Sequence, residues 1–291
     1  IVAHRKTSET DREELAELMV GRKVLLRVDK APAKVGKTEL KVKHLNVTDD
    51  AGVHRVKDVN FEVHSGEIVG IAGVSGNGQS ELMDVITGIK PLQKGQIQIK
   101  NETITPALST DAATMRRFGM GHVPEDRQRR GLVTSFSANE NIILGYHKDP
   151  AYNRFLEMDR DAIVQSCTEQ MEHFDVRPSN PFLKTTLFSG GNQQKLVVAR
   201  EMERDPNLLV VGQPTRGVDI GAIEFIHRQI IAMRDAGKAV LLISVELDEI
   251  LSLSDRILVM FDGQIMGEVM AKDANERDIG LLMAGVQKDV A

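Results

Sequence analysis

LFSGGNQQK, residues 187 to 195, sets Ser189, Gly190 and Gly191 directly ahead of the helix-like run NQQKLVVAREMER (192–204). The first turn of a helix has N–H groups without intrahelical partners, and small residues let an anion come close to them. This stretch therefore reads as a helix start suited to a phosphate. Downstream, LLVVGQPTRGVD (208–219) is an apolar strand-like run that ends at Gly212 and Gln213 and continues to Asp219. Upstream, GVSGNGQS (73–80) lies between the apolar EIVGIA and the helix-like ELMDVITG. Gly73, Gly76 and Gly78 have the spacing of a phosphate-binding loop, G-x-x-x-x-G-K-[ST], with Gln79 at the lysine position and Ser80 keeping the hydroxyl that would sit on magnesium. A unit charge at about 4 Å is worth roughly 4 kcal/mol at an effective dielectric of 20, so its loss weakens nucleotide binding by orders of magnitude while the backbone cradle survives.

Around these motifs the pattern alternates between strands and helices. Residues 39–72 read as strands about the turn Asp49-Asp50-Ala51-Gly52, so a domain starts near Glu39. A helix from Gln79 stops at Gly88, and GQIQIK (95–100) is a strand. Residues of about 132–186 look mostly helical and interrupt the alternation: Ser137-Ala138-Asn139-Glu140 is a capping box, and a longer helix covers about 159–174. The alternation resumes with LLVV (208–211), the helix 221–237, the buried strand AVLLI (239–243), and a final strand ILVM (257–260) followed by the turn Phe261-Asp262-Gly263.

In 291 residues, 41% of them hydrophobic, there is material for one large or two small cores. A net charge of -5 gives no electrostatic footprint for nucleic acid, so no nucleic-acid partner is expected. No apolar stretch approaches the roughly 20 residues of a spanning helix, so any membrane role comes through partners. The single cysteine, Cys167, excludes an internal disulfide, fits the cytosol, and reads as a small, partly buried apolar residue. The eight histidines have no metal-ligand spacing.

TDREELAELMVG (10–21) aligns without a gap to ANERDIGLLMAG (274–285), pairing Glu14 with Asp278, Leu15 with Ile279, Leu18 with Leu282, Met19 with Met283 and Gly21 with Gly285. Together with a first residue, Ile1, that is not methionine, this suggests a fragment of a tandem protein. The expected division is 1–25, the tail of a preceding nucleotide-binding domain; 26–38, a linker with Pro32 and Gly36; 39–270, the domain itself; and 271–291, its own tail.

FSGGNQQK, PTRGVDIGA (214–222), VPEDR (123–127) and GNGQSEL (76–82) together resemble the ATP-binding-cassette transporter family. The resemblance covers nearly all of 39–270 and is strongest to the second cassette of tandem bacterial importers for nucleosides and simple sugars. It implies an α/β fold: a P-loop NTPase (RecA-like) core, an N-terminal antiparallel β subdomain and an inserted α-helical subdomain at about 132–186. It implies ATP and magnesium as cofactors, held by Gly73, Gly76, Asn77, Gly78, Gln79, Ser80, Glu81 and Glu125, with Ser80 as a weak magnesium ligand. In the family, cassettes pair head to tail, so Ser189, Gly190, Gly191, Asn192 and Asp219 are expected to face ATP held by a partner cassette.

The same resemblance marks what is missing. Gln79 replaces the lysine, Gly212 the metal-supporting aspartate, Gln213 the general-base glutamate and Val245 the switch histidine, while Glu125 stands at a glutamine position. Gln213 cannot take a proton at neutral pH. Residues 41–60 offer no aromatic for adenine, and His54 reads as a surface loop residue. Arg127, Arg129 and Arg130 read as a solvated loop. The implied partners are an intact N-terminal cassette in the same full-length chain, two membrane permease subunits and an extracellular nucleoside- or sugar-binding protein. The implied location is the cytoplasmic face of the cell membrane. A regulatory nucleotide- or ligand-binding module of a simple-sugar importer is the alternative. A translation or repair cassette would carry a long charged arm, unlike the short linker here.

Overall fold

The computed structural model describes residues 2–21, 28, 30–155 and 157–286. Among these, strands form two sheets. The first is antiparallel, in the order β2-β1-β4-β5, with β1 Thr38–Thr48, β2 His54–His64, β4 Lys94–Ile99 and β5 Glu102–Ile104. The second has the order β10-β9-β3-β8-β7-β6, with β3 Ile68–Ala72, β6 Met120–Val123, β7 Leu208–Gly212, β8 Ala239–Ser244, β9 Arg256–Phe261 and β10 Gln264–Met270. All its neighbours pair in parallel except β10, which returns antiparallel along β9. Of the linker expected at 26–38, residues 26, 27 and 29 lie outside the described residues, and the strand expected from Glu39 begins one residue earlier.

The central parallel strands β3, β7 and β8 are almost entirely apolar because both their faces are covered. Val69 and Ile71 of β3 join Leu241 and Ile243 of β8 in a core shared with the antiparallel sheet. Helix α2 (Gln79–Ile86) fills the same space with Leu82, Met83, Val85 and Ile86. Ile68 and Ala72, with Val240 and Leu242, face a second core closed by α6 (Gly190–Met202), α7 (Ile220–Asp235) and α8 (Leu247–Leu253). Helix α3 (Ala112–Arg117) leads into β6 at the sheet edge. Two local expectations change. His54 is exposed but opens β2 instead of lying in a loop, its Nε2 facing Asn46 Oδ1 at 3.1 Å. Strand β10 continues past the turn at Asp262 and Gly263; its half-exposed edge, interrupted by Gly267, carries too little apolar alternation to be read from sequence.

Between 132 and 186 the only α-helices among the described residues are α4 (Ala138–Ile142) and α5 (Arg160–His173), so the region is less helical than its composition suggests. Pro150, Pro178 and Pro181 remove donors there, and side chains tie down the loops instead. The capping box forms between Ser137 and Glu140. Asn141, fully buried, accepts from Val133 N at 2.8 Å and donates to Val133 O and Ser137 O, both at 3.0 Å. Glu201, also fully buried, joins three elements: it accepts from Arg200 Nε at 2.8 Å, Tyr146 Oη at 2.8 Å and His122 N at 3.2 Å. Burial pushes His122 down to about 4, so this network holds a neutral imidazole. Cys167 is fully rather than partly buried, and burial pushes its thiol up to about 12.

The two repeated segments are both helices with the same punctuation. Helix α1 (Arg12–Val20) is capped by Asp11, whose side chain accepts from Glu14 N, and ends at Gly21 with φ 77°. Helix α9 (Glu276–Met283) is capped by Asn275, which accepts from Asp278 N, and closes through Ala284 onto Gly285 with φ 79°. Their seats differ: Ile279 and Leu282 of α9 pack into the second core, with Leu282 against Gly267, whereas α1 buries Ala16 and lies along α7. Asn141→Ala should strand several buried backbone groups and lower stability by about 3 kcal/mol. A reduced urea midpoint checks this; unfolding at the wild-type midpoint would show that these bonds do not hold the region.

Candidate functional site

The parallel strands end together, and the loops that follow them carry most of the residues singled out by sequence. After β3 the chain turns through 73–78 into α2. Gly76 has φ 90° and Gly78 φ 100°, conformations that side chains rarely adopt. Close approach adds a second reason for glycine: a Cβ on Gly78 would lie 2.1 Å from Arg55 O, and one on Gly73 2.2 Å from Gln79 Nε2. Gly78 gives α2 no side-chain cap, so the N–H groups of its first turn, which includes Gln79, Ser80 and Glu81, remain for an outside acceptor.

Gln79 is buried, 5% exposed, and donates from Nε2 to Val74 O at 3.2 Å, so it folds back under its own loop. Asn77 anchors the loop from outside: its Oδ1 accepts from Asp262 N at 3.1 Å and its carbonyl from Gly263 N at 3.0 Å. Ser80 Oγ donates to Glu125 Oε2 at 2.7 Å. Burial raises the Glu125 carboxyl above the ordinary range, with Asp84 and Glu81 adding repulsion against the lowering effects of Ser80 and Arg130.

At the end of β7, Gly212 faces this group. A Cβ there would lie 2.7 Å from Glu125 Cγ and 2.8 Å from Met83 Sδ. Gln213 follows with φ 47°, a left-handed backbone unusual for a residue with a side chain, and its Oε1 sits 3.5 Å from Val245 N. Val245 is half-buried and brings no titratable group. The site therefore has a hydroxyl, one carboxylate and a backbone cradle, which fit a phosphate chain with magnesium. Ser80, Glu125 and the first turn of α2 would hold them, and bound magnesium would neutralise phosphate charge. Neither Gly212 nor Gln213 supplies a base.

A second cluster forms where α6 begins. Ser189 is its N-cap, accepting from Asn192 N at 3.4 Å and from Asn192 Nδ2 at 2.9 Å. Gly190 and Gly191 have no room for side chains: a Cβ would lie 2.8 Å from Gly217 O in the first case and 2.6 Å from Asp219 Oδ2 in the second. Asp219 caps α7 through Ala222 N at 3.0 Å. Gln193 and Gln194 are buried and line the helix.

Two arginines expected in a solvated loop are structural ties. Arg127 donates from Nη1 to Arg216 O at 2.6 Å and from Nη2 to Gly217 O at 3.1 Å, while Arg130 pairs with buried Asp84 of α2. Their partners lie far along the chain, so composition alone showed only a basic cluster. Asp84 and Met83 were likewise missed; an acidic residue on the buried side of an apolar helix is the signal that could have exposed Asp84.

The profile of the family described as ABC transporter matches residues 56–216, more than half of the chain. The chain belongs to the ABC transporter family. It is 46% identical over 273 residues to the nucleoside import ATP-binding protein NupA of Lactococcus lactis subsp. cremoris, covering 94% of this chain and 53% of that protein. It is 43% identical over 281 residues to the guanosine import ATP-binding protein NupO of Bacillus subtilis, covering 95% and 54%. The chain thus spans about half the length of the curated relatives it matches. A nucleotide-free ATP-binding cassette from an ABC transporter superposes with a TM-score of 0.69 at 22% identity, covering 85% of this chain and 96% of that one. The fold is accordingly the ABC cassette: a P-loop core, an antiparallel β subdomain and a helical subdomain. Family membership implies ATP and magnesium as ligands in general.

Gln79→Lys should return a cation to the loop and raise ATP affinity by roughly tenfold or more, leaving hydrolysis at background because Gly212 and Gln213 are unchanged. Calorimetry and a phosphate-release assay check both halves. Equal ATP affinity in the two chains would show that position 79 does not face the phosphates.

Proposed function

We propose that this chain is the C-terminal, degenerate cassette of a tandem ATP-binding protein that energises an importer of nucleosides. The observation that carries this reading is the contrast between its two faces. Ser189, Gly190 and Gly191 keep an intact helix start, packed against Gly217 and Asp219, beside a phosphate loop with Gln79 for lysine and Gly212 and Gln213 at the strand end. Such a domain serves ATP held elsewhere. Two copies would combine only altered pockets, so an intact cassette is required, and the matched punctuation of α1 and α9 supports placing it upstream in the same polypeptide. On this reading 1–25 is the tail of that cassette, 26–38 a linker, 39–270 this domain and 271–291 its tail.

The names of the relatives support nucleosides as cargo, and ribose- or galactose-type sugars stand second. The remaining partners are then two permease subunits and an external nucleoside- or sugar-binding protein, with the cassette peripheral on the cytoplasmic face of the membrane. Among the described residues no helix is long and apolar enough to cross a membrane. Docking to a permease is supported by a groove of ≈ 610 Å³ in the helical subdomain, lined by Ser137, Asn139, Glu140, Ile143, Met158 and Phe182. Phe182 in its lining is 68% exposed, apolar surface that suits a buried interface.

Donors aimed at charge that grows during transfer act most strongly in the transition state; removing one typically costs about a hundredfold or more in rate. In the full-length transporter Ser189→Arg should abolish transport and ATP turnover, while Gln79→Ala should be tolerated. Transport and phosphate release measured on both variants test this. Turnover stopped by Gln79→Ala and preserved in Ser189→Arg would assign the work to the opposite face.

A further inference from the structure

The carboxylate absent from the end of β7 has a counterpart arriving from the loop after β6. A Cβ on Gly212 would fall against Glu125 Cγ at 2.7 Å, so the Glu125 side chain fills the space in front of the bare strand end. From there Glu125 Oε2 accepts from Ser80 Oγ at 2.7 Å. An aspartate at 212 and the present Glu125 could not both fit without displacement, and one carboxylate facing Ser80 results in either arrangement. The pocket's charge has changed along with its geometry. Gln79 brings no cation, Glu81 and Asp84 both push against the Glu125 carboxylate, and the Arg130 guanidinium is already engaged by Asp84. A bare phosphate chain entering this pocket meets the Glu125 carboxylate with no lysine at position 79 to offset it.

We propose that Glu125 stands in for the carboxylate missing at position 212 and that, with Ser80, it admits a nucleoside di- or triphosphate to this pocket only together with a divalent cation. The inference rests on reading 73–80 as a phosphate loop but is independent of the role given to Ser189. In a loop that keeps its lysine, that ammonium can meet phosphate charge without metal. Here the neutralising charge has to arrive with the ligand. Magnesium suits the place, since it takes oxygen ligands, is content with one or two protein groups, and draws the rest from phosphate and water.

The test is calorimetry of ATP and of ADP against the 291-residue chain, in millimolar magnesium and in EDTA. Magnesium should strengthen binding by roughly tenfold or more. In Glu125→Ala the ratio should fall towards one, and in Glu125→Ala combined with Gly212→Asp it should return, because the carboxylate is restored from the strand end. Should Glu125→Ala lose its fold by circular dichroism, Glu125→Gln keeps the shape without the charge and must bind magnesium-free nucleotide more tightly than wild type. Equal wild-type affinity with and without magnesium overturns the proposal. So does a magnesium ratio untouched by Glu125→Ala, no recovery in the double variant, or unchanged magnesium-free affinity in Glu125→Gln. Absence of nucleotide binding under every condition overturns it too, and leaves the signature-face reading standing, since that reading needs no ligand here.

Discussion

Burying β3, β7 and β8 on both faces confines polar chemistry to the edge where these strands end. Val69, Ile71, Val210, Leu241 and Leu242 are all fully buried, and a hydrophilic side chain among them would lack both water and a partner. Each strand therefore releases its function only in the residues just beyond it: Gly73 to Ser80 after β3, Gln213 after β7, Val245 after β8. Because the strands are parallel and neighbouring, those short loops converge without any long connection. Residues at this edge can therefore change without disturbing the sheet below.

The loop after β6 reaches both functional clusters within three residues. Glu125 meets Ser80 of the phosphate loop, and Arg127 grips the carbonyls of Arg216 and Gly217, the latter lying against Gly190. A short rigid segment with one side chain in each cluster gives them a common support. Asp126 tightens it by accepting from the N–H groups of Gln128 and Arg129, both at 3.0 Å.

Local signals were legible in the sequence because they act over a few residues. The strand-turn-helix at 68–86, the capping box at Ser137 and Glu140, and the Ser189 helix start each follow from hydrogen-bond needs within one turn. What escaped depends on partners remote in the chain. Only the family resemblance places Glu125 with Ser80, 45 positions away, and nothing near Arg127 announces Gly217, 90 positions away. The helical subdomain was overread for a related reason: its composition favours helix, but buried Asn141 and the prolines stabilise loops that no periodicity reveals. Edge strand β10 escaped because one of its faces packs on neighbours while its other residues stay half-exposed.

The two bonds from Asp262 and Gly263 to Asn77 give the phosphate loop a shape that owes nothing to a bound anion. Ordering a loop costs conformational entropy, and here that cost is met when the hairpin β9–β10 folds, before any ligand arrives. Electrostatic attraction and preorganisation are thus separable properties of this pocket: Gln79 brings no charge, while the bonds to Asn77 hold the outline of the loop. On the function proposed above, a cavity that holds its outline without a cation of its own would be a rigid bearing surface, able to transmit contact forces across a closing interface.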